Sequence, residues 1–363
     1  MSELPFPLIT IEGSPQNRGI QYGNQCKELI RNTVDFYRSA FKTGSGLDWD
    51  QSLEKAMEFV SYIEEYDAEI MEELRGIAEG ARCSLGDILA INIRSELLFL
   101  LSTQQKLDLP SCTAMAAMPE ATADRLTFLA QNWDWYDQTR AQCIILKIKQ
   151  PGRPTIIQLV EAGLIAKTGM NSAGIGMCTN SLVCDNWRVG VPFHVILRGI
   201  LNADSMAAAV GAVTKAYRAS AGNYMIGHTD GVALNIEAAP ETMNFIYPES
   251  GTIVHTNHFL VNNPDIKDLI PAMWPYSITR NLRASTLVAA ARDNIDLEAI
   301  KRVLRDHFDK PLSICTHVDR DLLPDSKAQT NASIVLNLSR QELYIAKGPP
   351  CEHSFVNIEY TWD

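Results

Sequence analysis

At 363 residues, with 46% hydrophobic and 21% charged residues, the chain is long enough for a soluble protein with a substantial core, in one large domain or two ordinary ones. Its net charge of −11, from 32 Lys and Arg against 43 Asp and Glu, excludes a nucleic-acid partner, because neutralising phosphates needs a basic surface. No run approaches the roughly 18 apolar residues that cross a bilayer, and the start lacks the basic and apolar regions of a signal peptide, so no membrane partner and a cytoplasmic location are expected.

Residues 1–111 read as mostly helical. Ile20, Leu29, Ile30, Val34, Tyr37 and Phe41 recur near helical period through 16–42, and Leu53, Met57, Val60, Ile63, Ile70, Leu74 and Ile77 do so through 49–81. Ser84-Leu85-Gly86-Asp87 resembles a capping box opening a third helix toward Arg94-Ser95-Glu96. Residues 104–110 form a polar connector with the composition of an exposed, cuttable segment. From Cys112 the texture is strand-like, with β-forming runs at 126–130, 143–148, 155–160 and 175–179 bounded by Gly, Pro and Asn. Helices are predicted at 193–201 and, capped by Asp204, at 205–217. Strands follow at 224–227, 233–237, 244–247 and 252–256. Helices return at 276–292 and, capped by Asp296, to His307; strands near 333–338, 342–346 and 355–360 close the chain. Blocks of strands and helices indicate sheets covered by helical layers rather than a βαβ repeat.

The eight cysteines, at 26, 83, 112, 143, 178, 184, 315 and 351, show no metal-ligand spacing, so no metal is expected, and most should be reduced core thiols. Cys112 stands apart through its setting: Pro110-Ser111-Cys112-Thr113-Ala114, followed by Gln131-Asn132-Trp133-Asp134-Trp135. A thiol attacks an amide only with a base beside it. Papain-type, Gly-x-Ser-x-Gly and His-Glu-x-x-His signatures are absent. A cut between Ser111 and Cys112 would give Cys112 a free α-amine of reference pKa about 7.7–8.0, which supplies that base.

Two supports are then required: donors for the oxyanion and a group that orients the amine. Asn257, just after a strand in Val254-His255-Thr256-Asn257-His258, is the donor candidate; Asp134, after a strand ending near Asn132, is the orienting candidate. Thr113, Asn132, Trp133, Trp135 and Asn171 are candidates for the surrounding substrate and oxyanion shell. Asn171 and Asn180 border the Gly174–Gly176 turn and are expected mainly to shape it, and the two tryptophans mainly to pack between layers. Alternation places His255 on the face of Asn257 and His258 on the opposite one. A Cys112–His255 dyad without cleavage therefore stays open.

These residues carry a resemblance. Tyr22-Gly23, Arg75-Gly76-Ile77-Ala78, Asn92-Ile93-Arg94-Ser95-Glu96, Cys112-Thr113, Gln131-Asn132-Trp133-Asp134, Glu161-Ala162-Gly163 and Gly169-Met170-Asn171-Ser172-Ala173-Gly174 are similar to segments of the acyl-coenzyme A:isopenicillin N acyltransferase family. Gly190-Val191-Pro192, Val254-His255-Thr256-Asn257-His258 and Pro311-Leu312-Ser313-Ile314-Cys315 extend the match in order. The family consists of self-processing N-terminal nucleophile hydrolases. The resemblance implies an α+β fold, a four-layer αββα sandwich with a helical leader. It also implies that Cys112 is the nucleophile for both self-cleavage and catalysis, with Asp134 and Asn257 as active-site acid and oxyanion-hole residue. Residues 1–111 and 112–363 would become two subunits of one globular unit, a heterodimer of self-cleaved fragments, with homo-oligomers left open.

The departures limit what carries over. Ser111 stands where the family usually has Gly, residues 328–333 lack the family's Ser-Arg pair, and the chain has no peroxisomal tail. The expected activity is that of a cysteine amidohydrolase or acyltransferase, acting on an N-acyl amine or amino-acid conjugate through an acyl-enzyme. Hydrolysis is preferred, no cofactor is expected, and acyl-coenzyme A is left open as a substrate. An acyl-coenzyme A-dependent transferase of the isopenicillin type and an uncleaved, non-catalytic binding relative are the alternatives.

Overall fold

A computed structural model of the chain describes residues 4–99, 111–319 and 327–363. The predicted connector 104–110 lies outside them. The leader begins with a strand that periodicity did not reveal, β1 (Leu8–Glu12). Helices α1 (Pro15–Gln25), α2 (Lys27–Gly44), α3 (Trp49–Met57), α4 (Val60–Tyr66), α5 (Ala68–Ala81), α6 (Leu85–Asn92) and α7 (Arg94–Phe99) follow. The two long predicted helices are thus broken. Asp67, at φ −161° and ψ 100°, leaves helical space and caps α5 by accepting from the Glu69 N–H. Ser84 and Asp87 form the expected capping box, and Asp48 with Gln51 forms another.

From Cys112 the chain continues with β2 (Cys112–Ala117), β3 (Phe128–Tyr136), a 3-10 helix (Asp137–Gln142), β4 (Cys143–Lys149), β5 (Ile156–Glu161), β6 (Thr168–Asn171) and β7 (Ile175–Ser181). Then come α8 (Phe193–Leu201), α9 (Met206–Thr214), β8 (Gly222–His228), β9 (Val232–Ala238), β10 (Met243–Ile246) and β11 (Thr252–His255). Helices α10 (Ile270–Met273), α11 (Tyr276–Ala290) and α12 (Leu297–Leu304) precede β12 (Ala328–Asn337), β13 (Glu342–Lys347) and β14 (Val356–Asn357). Ser205, not Asp204, caps α9 by accepting from the Ala208 N–H, while Asp296 caps α12 as expected.

The strands form an eight-stranded sheet, β1-β4-β5-β6-β7-β8-β9-β10, and a six-stranded sheet, β11-β2-β3-β12-β13-β14. Among the strands of the described residues only β1 pairs in parallel, against β4, so the leader supplies an edge strand and residues 112–363 do not hold the whole sandwich. Strand alternation shows the layering. Ala114, Ala116, Leu129 and Trp133 enter the main core toward the other sheet, whereas Met115, Ala117, Phe128 and Ala130 pack against Ala284 and Val288 of α11 and Ile300 and Val303 of α12. Helices α8 and α9 cover the far face of the larger sheet. The architecture is the expected four-layer αββα sandwich.

Helices α1 and α5 cross with backbones in contact. A Cβ on Gly19 would lie 2.2 Å from the Glu73 carbonyl oxygen, and one on Gly76 would lie 2.4 Å from that of Gln16. Beside this crossing, buried Glu73 accepts from Arg18 at 2.9 Å and from Arg198 of α8 at 2.8 Å, joining the leader to the larger sheet's helical cover. Gly76→Ala is expected to destabilise the fold by about 1–3 kcal/mol through backbone displacement. Gly211→Ala in α9, where an added Cβ meets no atom closer than 3.7 Å, should be neutral or slightly stabilising; urea denaturation of both checks this.

Candidate active site

Cys112 opens β2 and is 3% exposed. Its neighbour across the ladder is Trp133, and Asp134 follows within β3. Strand β3 runs on to Tyr136, so Asp134 lies inside a strand rather than after one, and is fully buried. Polar Asn132 and Asp134 suggest a strand end, but both are satisfied on the helical face. Asp134 Oδ1 accepts from the Thr330 hydroxyl at 2.6 Å, and Oδ2 from that of Thr316 at 3.1 Å.

The peptide bond between Ser111 and Cys112 is held at both ends. The Ser111 carbonyl oxygen accepts from the Asp134 backbone N–H at 3.0 Å. The Cys112 N–H donates to Asn257 Oδ1 at 2.8 Å. Asn257 lies two residues beyond β11, where the sequence places it, but its oxygen rather than its nitrogen faces Cys112. Its Nδ2 donates to the Ser181 carbonyl at 3.0 Å. Here Asn257 is an acceptor that orients the nucleophile's nitrogen, and its Nδ2, the atom expected to serve an oxyanion, is turned to Ser181.

Two cations that sequence reading missed act on the same centre. Arg280 of α11 donates through Nη1 to the Cys112 carbonyl at 2.8 Å and to Thr113 Oγ1 at 2.9 Å, and through Nη2 to Asn257 Oδ1 at 3.1 Å. Its signal was legible, since Arg280 shares the buried stripe of Ser277, Ala284 and Val288. Lys167, buried with Nζ 5.2 Å from the Trp133 ring centroid, interrupts an apolar run. Burial pushes its ammonium down to about 8, and the Arg94 charge acts in the same direction. The Cys112 thiol is itself pushed up by burial, and among charges Lys167 opposes this most.

The remaining candidates separate. Thr113 joins the centre through Arg280. Trp133 borders Cys112 and has a buried Nε1 donor without a partner. Trp135 donates to the Tyr37 hydroxyl at 2.7 Å beneath the Arg94 guanidinium, a packing role between layers. Asn132 is fully used elsewhere, donating to the Leu304 and Ile314 carbonyls and accepting from Ser333. Asn171 also leaves the shell. It shapes its turn by accepting from the Ala173 and Ile175 N–H groups and donates to Leu201 and Ala203 carbonyls. Asn180 has more to offer than its neighbour: its Oδ1 accepts from Asn223, but its buried Nδ2 has no partner. Alternation along β7 puts it on the face of Cys178, whose titration feels Cys112.

Neither flanking histidine reaches the thiol. His255 Nε2 meets Glu237 at 2.9 Å and its Nδ1 meets the Thr256 carbonyl, while His258 bonds Ser277. Burial pushes His258 down to about 4. The expectation that the cysteines form no Cys–His group is overturned away from this centre, where folding gathers His307, Cys315, His317 and Cys351 from two loops.

Burial raises the Asp134 carboxyl to about 7, against the opposing effects of Arg280 and the two hydroxyls. An unfolded Asp ionises near about 3.9. Between about pH 4 and 7 the folded chain therefore holds a proton the unfolded chain has lost, and stability falls as pH rises through that window. In a Cys112→Ala background, Asp134→Asn should flatten this slope; urea midpoints measured across the window would show an unchanged slope if the assignment is wrong.

The family described as acyl-coenzyme A:6-aminopenicillanic acid acyl-transferase matches residues 121–350. The 40 kDa form of acyl-coenzyme A:6-aminopenicillanic-acid-acyltransferase from Emericella nidulans is 30% identical over 312 residues, covering 85% of this chain and 84% of the relative. Among solved structures, a conjugated bile acid hydrolase from Clostridium perfringens superposes at TM-score 0.49 and 14% identity, over 69% of this chain and 94% of its own. Penicillin V acylase from Agrobacterium tumefaciens does so at 0.41 and 13%, over 65% and 83%. The match along most of the sequence, on a chain whose Cys112 opens a strand inside an αββα sandwich, makes this protein a member of the acyl-coenzyme A:6-aminopenicillanic acid acyl-transferase family.

Proposed function

We propose that the chain cuts its own Ser111–Cys112 bond and that Cys112 then breaks or forms the amide bond of an N-acylated small molecule. The two-ended hold on the Ser111–Cys112 peptide carries this reading. The Asp134 N–H polarises the carbonyl that Sγ would attack, and Asn257 fixes the nitrogen that would leave. Attack forms a C–S bond; the C–N bond then breaks, and the nitrogen takes up the proton the thiol gave. Water hydrolyses the resulting thioester, releasing the Ser111 carboxylate and restoring the thiol.

The new α-amine, which Asn257 Oδ1 is positioned to hold, acts as the base in turnover. It takes the thiol proton, Sγ attacks the substrate carbonyl, and the departing amine carries a proton away. The acyl-enzyme passes its acyl group to water or to another amine. Asn180 Nδ2 and Trp133 Nε1, two of the buried donors without a partner among the described residues, suit the developing oxyanion or the acyl carbonyl. Water is the favoured acceptor, because the strand beside Asp134 presents neutral Thr330 and Asn331, and residues 328–333 lack the Ser-Arg pair that the family resemblance implies there. Family membership favours acyl-coenzyme A-dependent transfer as the second reading.

Intact-mass measurement should find wild-type chains split into fragments ending at Ser111 and beginning at Cys112, with Cys112→Ala uncut. Asn257→Leu, which frees the nitrogen from its fixed position, should slow the cut by about 100-fold. A wild type that stays whole on long incubation, with Cys112→Ala equally active on N-acyl amines, would sink the proposal. A panel of N-acyl amino acids and acyl thioesters, read by mass spectrometry with and without acceptor amines, separates hydrolysis from transfer.

A further inference from the structure

Outside the Cys112 centre, His307, Cys315, His317 and Cys351 aim four donor atoms at one point, all within 4.8 Å of one another. The Nε2 atoms of His307 and His317 are 3.1 Å apart. Cys315 Sγ is 3.6 Å from both His317 Nε2 and Cys351 Sγ, and Cys351 Sγ is 3.3 Å from His317 Nε2. A tetrahedral ion with Zn–S near 2.3 Å and Zn–N near 2.0–2.1 Å requires edges of about 3.8 Å for S···S, about 3.5 Å for S···N and about 3.4 Å for N···N. These four of the six separations fall within a few tenths of an ångström of those edges, and the two between His307 and the cysteines are no longer than 4.8 Å. We propose that this group is a Cys2His2 site for Zn2+.

The chemistry of the donors points the same way. Two thiolates and two imidazoles with no carboxylate among them suit zinc over magnesium or calcium. His317 directs its other ring nitrogen toward Glu352, 3.4 Å away, the kind of carboxylate contact that orients a metal-binding imidazole. The loops are already set for binding. Cys315 N–H donates to the Asp306 carbonyl and His317 N–H to that of Pro311, while Arg305 Nε reaches the Pro350 carbonyl at 2.9 Å and ties one loop to the other. His307 and Cys351 are exposed, so an ion can enter from solution.

The site's role is to hold residues 305–319, which follow α12, against the loop between β13 and β14. Thr316, whose hydroxyl bonds Asp134, lies between two of the ligands. A bound ion would thus brace a residue that supports the Cys112 centre, without touching reacting atoms.

The test uses the full-length, fully reduced chain titrated with Co2+ and then Zn2+. One equivalent of Co2+ should give thiolate-to-metal charge-transfer and tetrahedral d–d bands, which one equivalent of Zn2+ abolishes. Cys351→Ser, on an exposed loop, should lose the bands at equal protein concentration, and Zn2+ should raise the melting temperature of wild type alone. Uptake well below one equivalent would overturn the proposal, as would bands unchanged in a Cys315→Ser/Cys351→Ser variant. The first outcome would leave Cys315 and Cys351 as a thiol pair only. Self-cleavage at Cys112 is read separately by mass and stands or falls independently.

Discussion

One peptide bond, Ser111–Cys112, is held at its two ends by two separate elements while a third holds the carbonyl that follows it, and the surrounding architecture serves that hold. β3 offers the Asp134 N–H to the carbonyl, the turn after β11 offers Asn257 Oδ1 to the nitrogen, and α11 brings Arg280 to the next carbonyl. Each of these bonds is buried, where a polar group without a partner is costly. The arrangement therefore tolerates little displacement of β2 relative to β3, β11 and α11. The register that pairs Cys112 with Trp133, and His255 with Ala114, is what sets the distances.

Buried charges extend this rigidity across the layers. Arg280 faces Asp134, Arg94 pairs with Glu161 under Tyr37 and Trp135, and Glu73 lies between Arg18 and Arg198. Such pairs contribute little net stability, because removing charges from water offsets most of their attraction. Losing one partner is far more damaging, so they enforce a single arrangement. Two of the three groups join the leader to elements beyond residue 112, and β1 pairs with β4. A chain cut after Ser111 would still share one sheet and these buried contacts, which leaves the nucleophile's surroundings intact.

Several misreadings share a cause. Asn132 and Asp134 read as a strand end because polar residues usually mark one; here both faces of β3 are covered and each side chain finds buried partners. Alternation put His255 on the face of Asn257 and left a dyad with Cys112 open, but the strand stops at His255 and Glu237 claims its ring. The long leader helices broke where Asp67 preferred a cap, a local choice that apolar spacing does not record. Strand β1, with three half-buried or exposed residues among its first four, carries no strong alternation.

Local chemistry was sufficient to single out Cys112, to find the strands and caps around it, and to connect them to a family, since alternation, helical period and motif spacing are properties of neighbouring residues. The tertiary fold decided which atom of Asn257 faces the nucleophile, and brought Arg280 to it from 168 residues away. It also gathered two histidines and two cysteines, one of them from a separate loop, within 4.8 Å of one another. Those relations join positions whose distance in the chain sets no limit on their distance in space. They exist only once two sheets have been packed face to face and most buried donors have had to find an acceptor.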